Sequence, residues 1–188
     1  MIQQNQTPPI AVNATAIYKR HNHEYKVTLV TGKARPLEVW LGKKKITEGL
    51  REGYRPWKLM VADVDGDGIP EIVVGVYRKS NYTPAWARSI FVMTFDGKEL
   101  IRKWMGSSMG RPLFDFTFAP EKTQRLITIQ EAIDGQQVLS SWDWSGFGFR
   151  RREREIPAKS IKLDGWFGTN LQVTINGKKA ELPLSKLP

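Results

Sequence analysis

Apolar positions along this chain either alternate with polar ones or run unbroken for five to seven residues. No window of a dozen residues carries the i, i+3, i+4 recurrence of an amphipathic helix. The runs, at 25–30, 37–41, 58–62, 72–77, 90–95, 113–118, 126–130, 138–144 and 171–175, are rich in β-branched and aromatic residues. Such side chains suit a pleated, half-buried surface, so the runs predict strands and almost no helix. Among them stand Asp96-Gly97, Asp134-Gly135, Asp164-Gly165 and Asn176-Gly177. Asn or Asp before Gly supplies the positive φ pair of a tight hairpin, so sequential strands are expected to fold back as antiparallel meanders.

Aligning these turns brings out a repeat. Trp40-Leu41-Gly42-Lys43, Phe95-Asp96-Gly97-Lys98, Trp144-Ser145-Gly146-Phe147 and Ile175-Asn176-Gly177-Lys178 share an apolar residue, a turn residue and Gly, mostly followed by Lys. Leu41, Phe95, Trp144 and Ile175 are spaced by 54, 49 and 31 residues. Units of about 40–50 residues with four strands each are the mark of propeller blades. The expected fold is therefore all-β, a small β-propeller-like array of about four antiparallel four-stranded blades; a β-sandwich is the alternative. The short last unit lacks a strand, which the segment Ala14–Arg20 is expected to lend. The polar, Gln/Asn/Pro-rich residues 1–15 read as a flexible lead-in and 16–188 as a single domain.

Composition narrows the function. Of 188 residues, 40% are apolar and 26% charged, which is globular. No apolar run approaches the roughly 18 residues of a membrane-spanning helix, so no membrane span is expected. The absence of cysteine removes thiolate metal sites, disulfides and cysteine nucleophiles. A net charge of +10 favours polyanionic partners. Against that background Asp63, Asp65, Asp67 and Glu71 fall within nine positions, a self-repelling density that calls for a counter-charge.

Counting Asp63 as position 1, acidic side chains occupy positions 1, 3, 5 and 9, and the carbonyl of Ile69 falls at position 7. Hard oxygen donors at alternate positions, with Gly66 and Gly68 allowing sharp turns, suit Ca2+; no His or Cys is nearby to favour zinc or copper. An EF-hand would need Glu at position 12, where Val74 stands, and Pro70 followed by 71–76 predicts a strand instead of a helix. The pattern Asp63-x-Asp65-Gly66-Asp67-Gly68-x-x-Glu71-Ile72-x-x-Gly75 resembles the calcium loop of FG-GAP/VCBS-type repeats, found in integrin α-subunit propellers and many bacterial surface proteins. The resemblance extends over one blade, residues 57–104, from Trp57 to Trp104. It implies calcium ligation by the side chains of Asp63, Asp65, Asp67 and Glu71 and by the carbonyl of Ile69, with Glu71 replacing a more usual Asp. The corresponding stretch at 113–130 has Ala119, Glu121 and Thr123 at the aligned positions, so one ion site is expected. Calcium there is expected to pin a hairpin and perform no chemistry.

Other constellations are weaker. His21 and His23 would share a strand face but have no third ligand, and read as turn residues. No nucleophile elbow, zinc-protease helix, phosphate loop or dinucleotide fingerprint occurs. Asp115 and Asp143 form a candidate carboxylate pair for glycosidic chemistry. Lys43, Lys44 and Lys45, and Arg150, Arg151, Arg152 and Arg154, stand near Trp40, Phe147 and Phe149, the composition of a polyanion-binding surface. Alternation would place Arg150, Arg152 and Arg154 on one face of an outermost strand, where charge guards the edge against aggregation. Trp57, Trp86, Trp104, Trp142, Trp144 and Trp166 suit core packing or sugar stacking.

The reading that follows is a calcium-stabilised module for binding or adhesion, recognising a protein or other macromolecule or a glycan, without catalysis. Secretion or cell-surface display follows from the resemblance, with a signal peptide then expected upstream of Met1. The rival readings are a polysaccharide-acting enzyme and a basic, cytoplasmic nucleic-acid-binding protein.

Overall fold

The computed structural model describes residues 12–79, 85–106 and 109–188. Among them, β1 (Ala14–Arg20), β2 (His23–Leu29), β3 (Leu37–Leu41) and β4 (Lys44–Gly49) form one antiparallel sheet in that order. The next is β5 (Arg55–Ala62), β6 (Glu71–Arg78), β7 (Ala87–Phe95) and β8 (Leu100–Trp104). A third comprises β9 (Leu113–Phe118), β10 (Leu126–Glu131), β11 (Gln137–Trp144) and β12 (Phe149–Ala158). The last has three strands, β13 (Ile161–Phe167), β14 (Asn170–Ile175) and β15 (Lys178–Pro183), followed by a 3-10 turn at Leu184–Lys186. The fold class is the expected one: all-β, built of four antiparallel blades of the β-propeller type, with no α-helix among the described residues.

Two compact units can be told apart. The first holds the described residues up to Asp63 and from Asp67 to 106; the second holds Val64–Gly66 and Met109–Pro188. In the first, alternate residues of neighbouring sheets meet in one core: Val27, Leu29, Leu37 and Val39 with Ile72, Val74, Val76, Phe91 and Phe95. Tyr18, Tyr25 and Phe95 pack edge-to-face at its centre, and the Tyr18 hydroxyl donates to the Phe95 carbonyl at 3.2 Å. In the second unit Ile127, Ile129 and Leu139 pack with Ile161, Leu171 and Val173. A blade with one apolar face is stable only against another, which is why the blades pair in this way.

The repeated turn motif falls on the same hairpin in every sheet. It joins β3 to β4, β7 to β8, β11 to β12 and β14 to β15, in each case the last two strands. The Asp96 carboxylate shows why: one oxygen accepts the backbone N–H groups of both Lys98 and Glu99, each at 2.8 Å. Those bonds hold its carboxyl below the usual carboxylate range.

Several expectations need correction. Ala14–Arg20 does not complete the last sheet. It pairs along its whole length with β2, from Ala14 opposite Leu29 to Arg20 opposite His23, and the last sheet has three strands. Of the lead-in 1–15, residues 1–11 lie outside the described residues, while Ala14 and Thr15 already belong to β1. Asp164-Gly165 is no hairpin turn either. It sits inside β13 at a register shift between Leu163 and Gly165, where Gly165 takes φ +124°; the chain reverses later, at Gly168. A positive φ serves a bulge as well as it serves a turn, and the dipeptide alone does not separate the two.

Candidate metal centre

The acidic loop is held by a hairpin with strong reasons to form. β6 is a continuous apolar run buried on both faces from Ile72 to Tyr77, and β5 pairs with it from Arg55 opposite Tyr77 to Ala62 opposite Glu71. Trp57 is the extra residue at a bulge in β5, and its indole lies against Gly75: a Cβ on Gly75 would fall 2.7 Å from Trp57 Cε2. Residues 63–70 then reverse the chain, with Gly66 at φ +77° and Gly68 at φ +85°. Two backbone–carboxylate bonds shape the turn. Asp63 Oδ2 accepts the Gly68 N–H at 3.0 Å, and Asp67 Oδ1 accepts the Ile69 N–H at 2.7 Å.

This geometry brings together three of the expected side chains. Asp63, Asp65 and Glu71 each offer one carboxylate oxygen, and these oxygens lie within 4.8 Å of one another. Calcium binds oxygen at about 2.3–2.6 Å, so ligand oxygens on opposite sides of the ion lie up to roughly 5 Å apart. The three carboxylates therefore fit the diameter of a calcium coordination sphere. Asp67 is not in this group; it faces solvent and caps the turn through Ile69.

A counter-charge for Glu71 comes from a residue that the sequence does not single out. Lys103 Nζ lies 2.5 Å from Glu71 Oε1. Glu71 is 1% exposed, a carboxylate almost wholly out of water. Lys103 stands 32 positions away and its signal in the sequence is one lysine among many. Finding it would have required the register of β8.

The remaining candidates are scattered. His21 lies in the β1–β2 turn with φ +50°, His23 opens β2, both are exposed, and no third ligand joins them among the described residues. Asp115 and Asp143 sit on β9 and β11 with β10 between them. Ile129 pairs with both Asp115 and Leu139, and Asp143 is four residues beyond Leu139. At about 4.8 Å per strand and 3.4 Å per residue their Cα atoms are roughly 16 Å apart, beyond the roughly 5–9.5 Å carboxyl spacing of glycosidase pairs. Asp143 is engaged besides, in a two-bond pair with Arg152 at 2.8 and 3.0 Å.

The basic clusters lie on outer strands. Lys43 is in the β3–β4 turn, and Lys44 and Lys45 begin β4. Lys45 pairs with Glu48 at 2.7 Å and reaches Glu38 at 3.9 Å, where Lys33 also binds at 2.6 Å. Hydrogen bonding from Lys33 holds the Glu38 carboxyl below its ordinary value despite its burial. Arg150, Arg151, Arg152 and Arg154 lie on β12, which is an edge strand as alternation required. Arg151 pairs with Glu155, itself bound by Arg111 and Ser140. Burial opposes ionisation of Glu155, but these donors prevail and lower its pKa. Among the tryptophans, Trp104 and Trp142 are buried, and Trp142 Nε1 donates to Thr128 at 2.8 Å, so both serve the core.

Residues 55–85 match the family model of the FG-GAP repeat, a span covering β5, the acidic loop and β6. No curated protein matches the chain significantly. The match falls on the strands and loop that gather Asp63, Asp65 and Glu71, and the strand–loop–strand unit of the second sheet is an FG-GAP repeat.

Proposed function

We propose that residues 16–188 act as one calcium-stabilised extracellular module for binding or adhesion, recognising a macromolecule or glycan without catalysis. The observation that carries this reading is the convergence of the Asp63, Asp65 and Glu71 oxygens within 4.8 Å inside an FG-GAP repeat. Asp67 and the Ile69 carbonyl complete the proposed ligand set. When bound, calcium would supply charge neutralisation and a rigid cross-link between the ends of β5 and β6. The chain's own residues do the rest: the Gly68 and Ile69 N–H groups orient Asp63 and Asp67, and the buried Glu71 anchors the loop to the sheet. Millimolar calcium outside cells fills a modest-affinity site of this kind, which favours secretion or surface display.

Thermal unfolding in CaCl2 and in chelator tests the reading. The midpoint is expected to rise with calcium in the native sequence and not in Asp65→Ala; equal midpoints for the native sequence would remove calcium from the account. A glycan and protein-ligand screen at millimolar calcium then identifies the partner class.

A further inference from the structure

We propose that the Lys103 ammonium is the resident counter-ion of the acidic loop, sharing Glu71 with calcium and holding the loop's calcium affinity to a modest value. The inference rests on the calcium reading above. It starts from an irregularity in β8. Val92 pairs with Trp104 and Met93 with Arg102, which leaves Lys103 as one extra residue on β8. Ile72 pairs with Met93; one step further is Thr94, which pairs with Ile101, so Ile101 lies on the face of Glu71 and Lys103, two residues on, shares it. The lysine therefore crosses β7 to reach Glu71 at 2.5 Å, with its side chain 21% exposed and that of Glu71 1%.

A strand crossing and a short contact to a nearly buried carboxylate inside the ligand group are more than surface pairing requires. Before calcium binds, Lys103 holds the Glu71 side chain in place, since a buried carboxylate without a partner would be strongly disfavoured. Once calcium binds, the same ammonium opposes it. A single and a double positive charge about 5 Å apart repel enough to weaken binding at least tenfold, even at the dielectric of water. Lys103 thus trades affinity for a loop that is already formed without the ion.

The test compares the full chain with Lys103→Gln, which removes the charge, and Lys103→Arg, which keeps it. Calcium titration by calorimetry and thermal unfolding with and without CaCl2 are both read. In Lys103→Gln the apparent Kd for calcium is expected to fall about tenfold, while the metal-free midpoint drops and calcium restores it. Lys103→Arg should stay near the native sequence in both. Binding by the native sequence and by Lys103→Gln with equal Kd, or weaker binding by Lys103→Gln, overturns the inference and leaves the calcium site standing. No binding by either overturns the calcium reading and this inference with it. Should Lys103→Gln be unfolded without calcium, refolding on addition of CaCl2 supports the proposal. Failure to refold at millimolar calcium, with Lys103→Arg folded, overturns it.

Discussion

The loop between β5 and β6 and the loop between β9 and β10 occupy the same place in successive sheets, and they solve the same problem in opposite ways. In the first, Asp63, Asp65 and Glu71 gather within 4.8 Å, and a lysine from the far edge strand pairs with Glu71. In the second the aligned positions are Ala119, Glu121 and Thr123, and the loop closes on itself: Glu121 takes two bonds from Arg125, at 2.7 and 3.1 Å, while the Ala119 N–H donates to the Arg125 carbonyl. One loop concentrates charge whose balance is imported; the other carries its own cation four residues along. A hairpin at this place in a sheet can thus be closed by its own ion pair, without a cluster of carboxylates.

The largest effect expected from this contrast is at Glu71. Glu71→Ala should destabilise the fold by about 3–5 kcal/mol, because it strips a nearly buried ion pair and leaves Lys103 without that partner. Chemical denaturation measures it, and a loss below about 1 kcal/mol would show the pair to be no more than surface decoration. Next is calcium itself. At a hundred times its Kd the ion should add about 2.7 kcal/mol to the native sequence and nothing to Asp65→Ala; an increment that survives Asp65→Ala would move the ion elsewhere.

A third effect is acid lability. The pKa values of Glu38 and Glu155 lie below their ordinary 4.5. Stability from these groups is thus fully present above that pH, where the unfolded carboxyls are also ionised. It is lost as pH falls through the lower folded values. Denaturation midpoints followed from pH 6 to 3 should decline only below about 4.5, and Glu38→Gln should flatten the decline; an unchanged slope would acquit Glu38. The smallest effect is at the β9–β10 loop, where Glu121→Ala should cost about 1 kcal/mol or less and leave the calcium increment untouched. A loss comparable to that of Glu71→Ala would erase the contrast between the two loops.

How far the sequence reveals these features depends on water. Strand β6 announces itself because both faces are dry and the letters from Ile72 to Tyr77 are apolar throughout. β4, β8 and β15 do not, because as outer strands they are wetted along most of their length. Lys44–Gly49 and Lys178–Pro183 present no buried residue at all, so no alternation is written into them. The acidic loop was legible because its carboxylates are near neighbours in sequence. Lys103 was not, because its contact depends on the register of β8 and on crossing another strand, and neither leaves a trace in one-dimensional spacing. The repeat of turns located the last hairpin of each blade, yet it could not say which sheet owned Ala14–Arg20, since pairing is a property of the edge and not of the strand's own letters.

The contact of Trp57 with Gly75 has a bearing on how the chain reaches this state. Side chains on β6 alternate around a position where only a hydrogen fits beneath the indole, with Val74 and Val76 on either side. A slip of the hairpin by one residue would drive a branched valine into that space, so the mismatched alignment is penalised at once while its neighbour is accepted. Gly75 thereby acts as a proofreading element in folding: it commits β5 and β6 to a single alignment, and with it the spacing of every carboxylate between them, before any ion has been met.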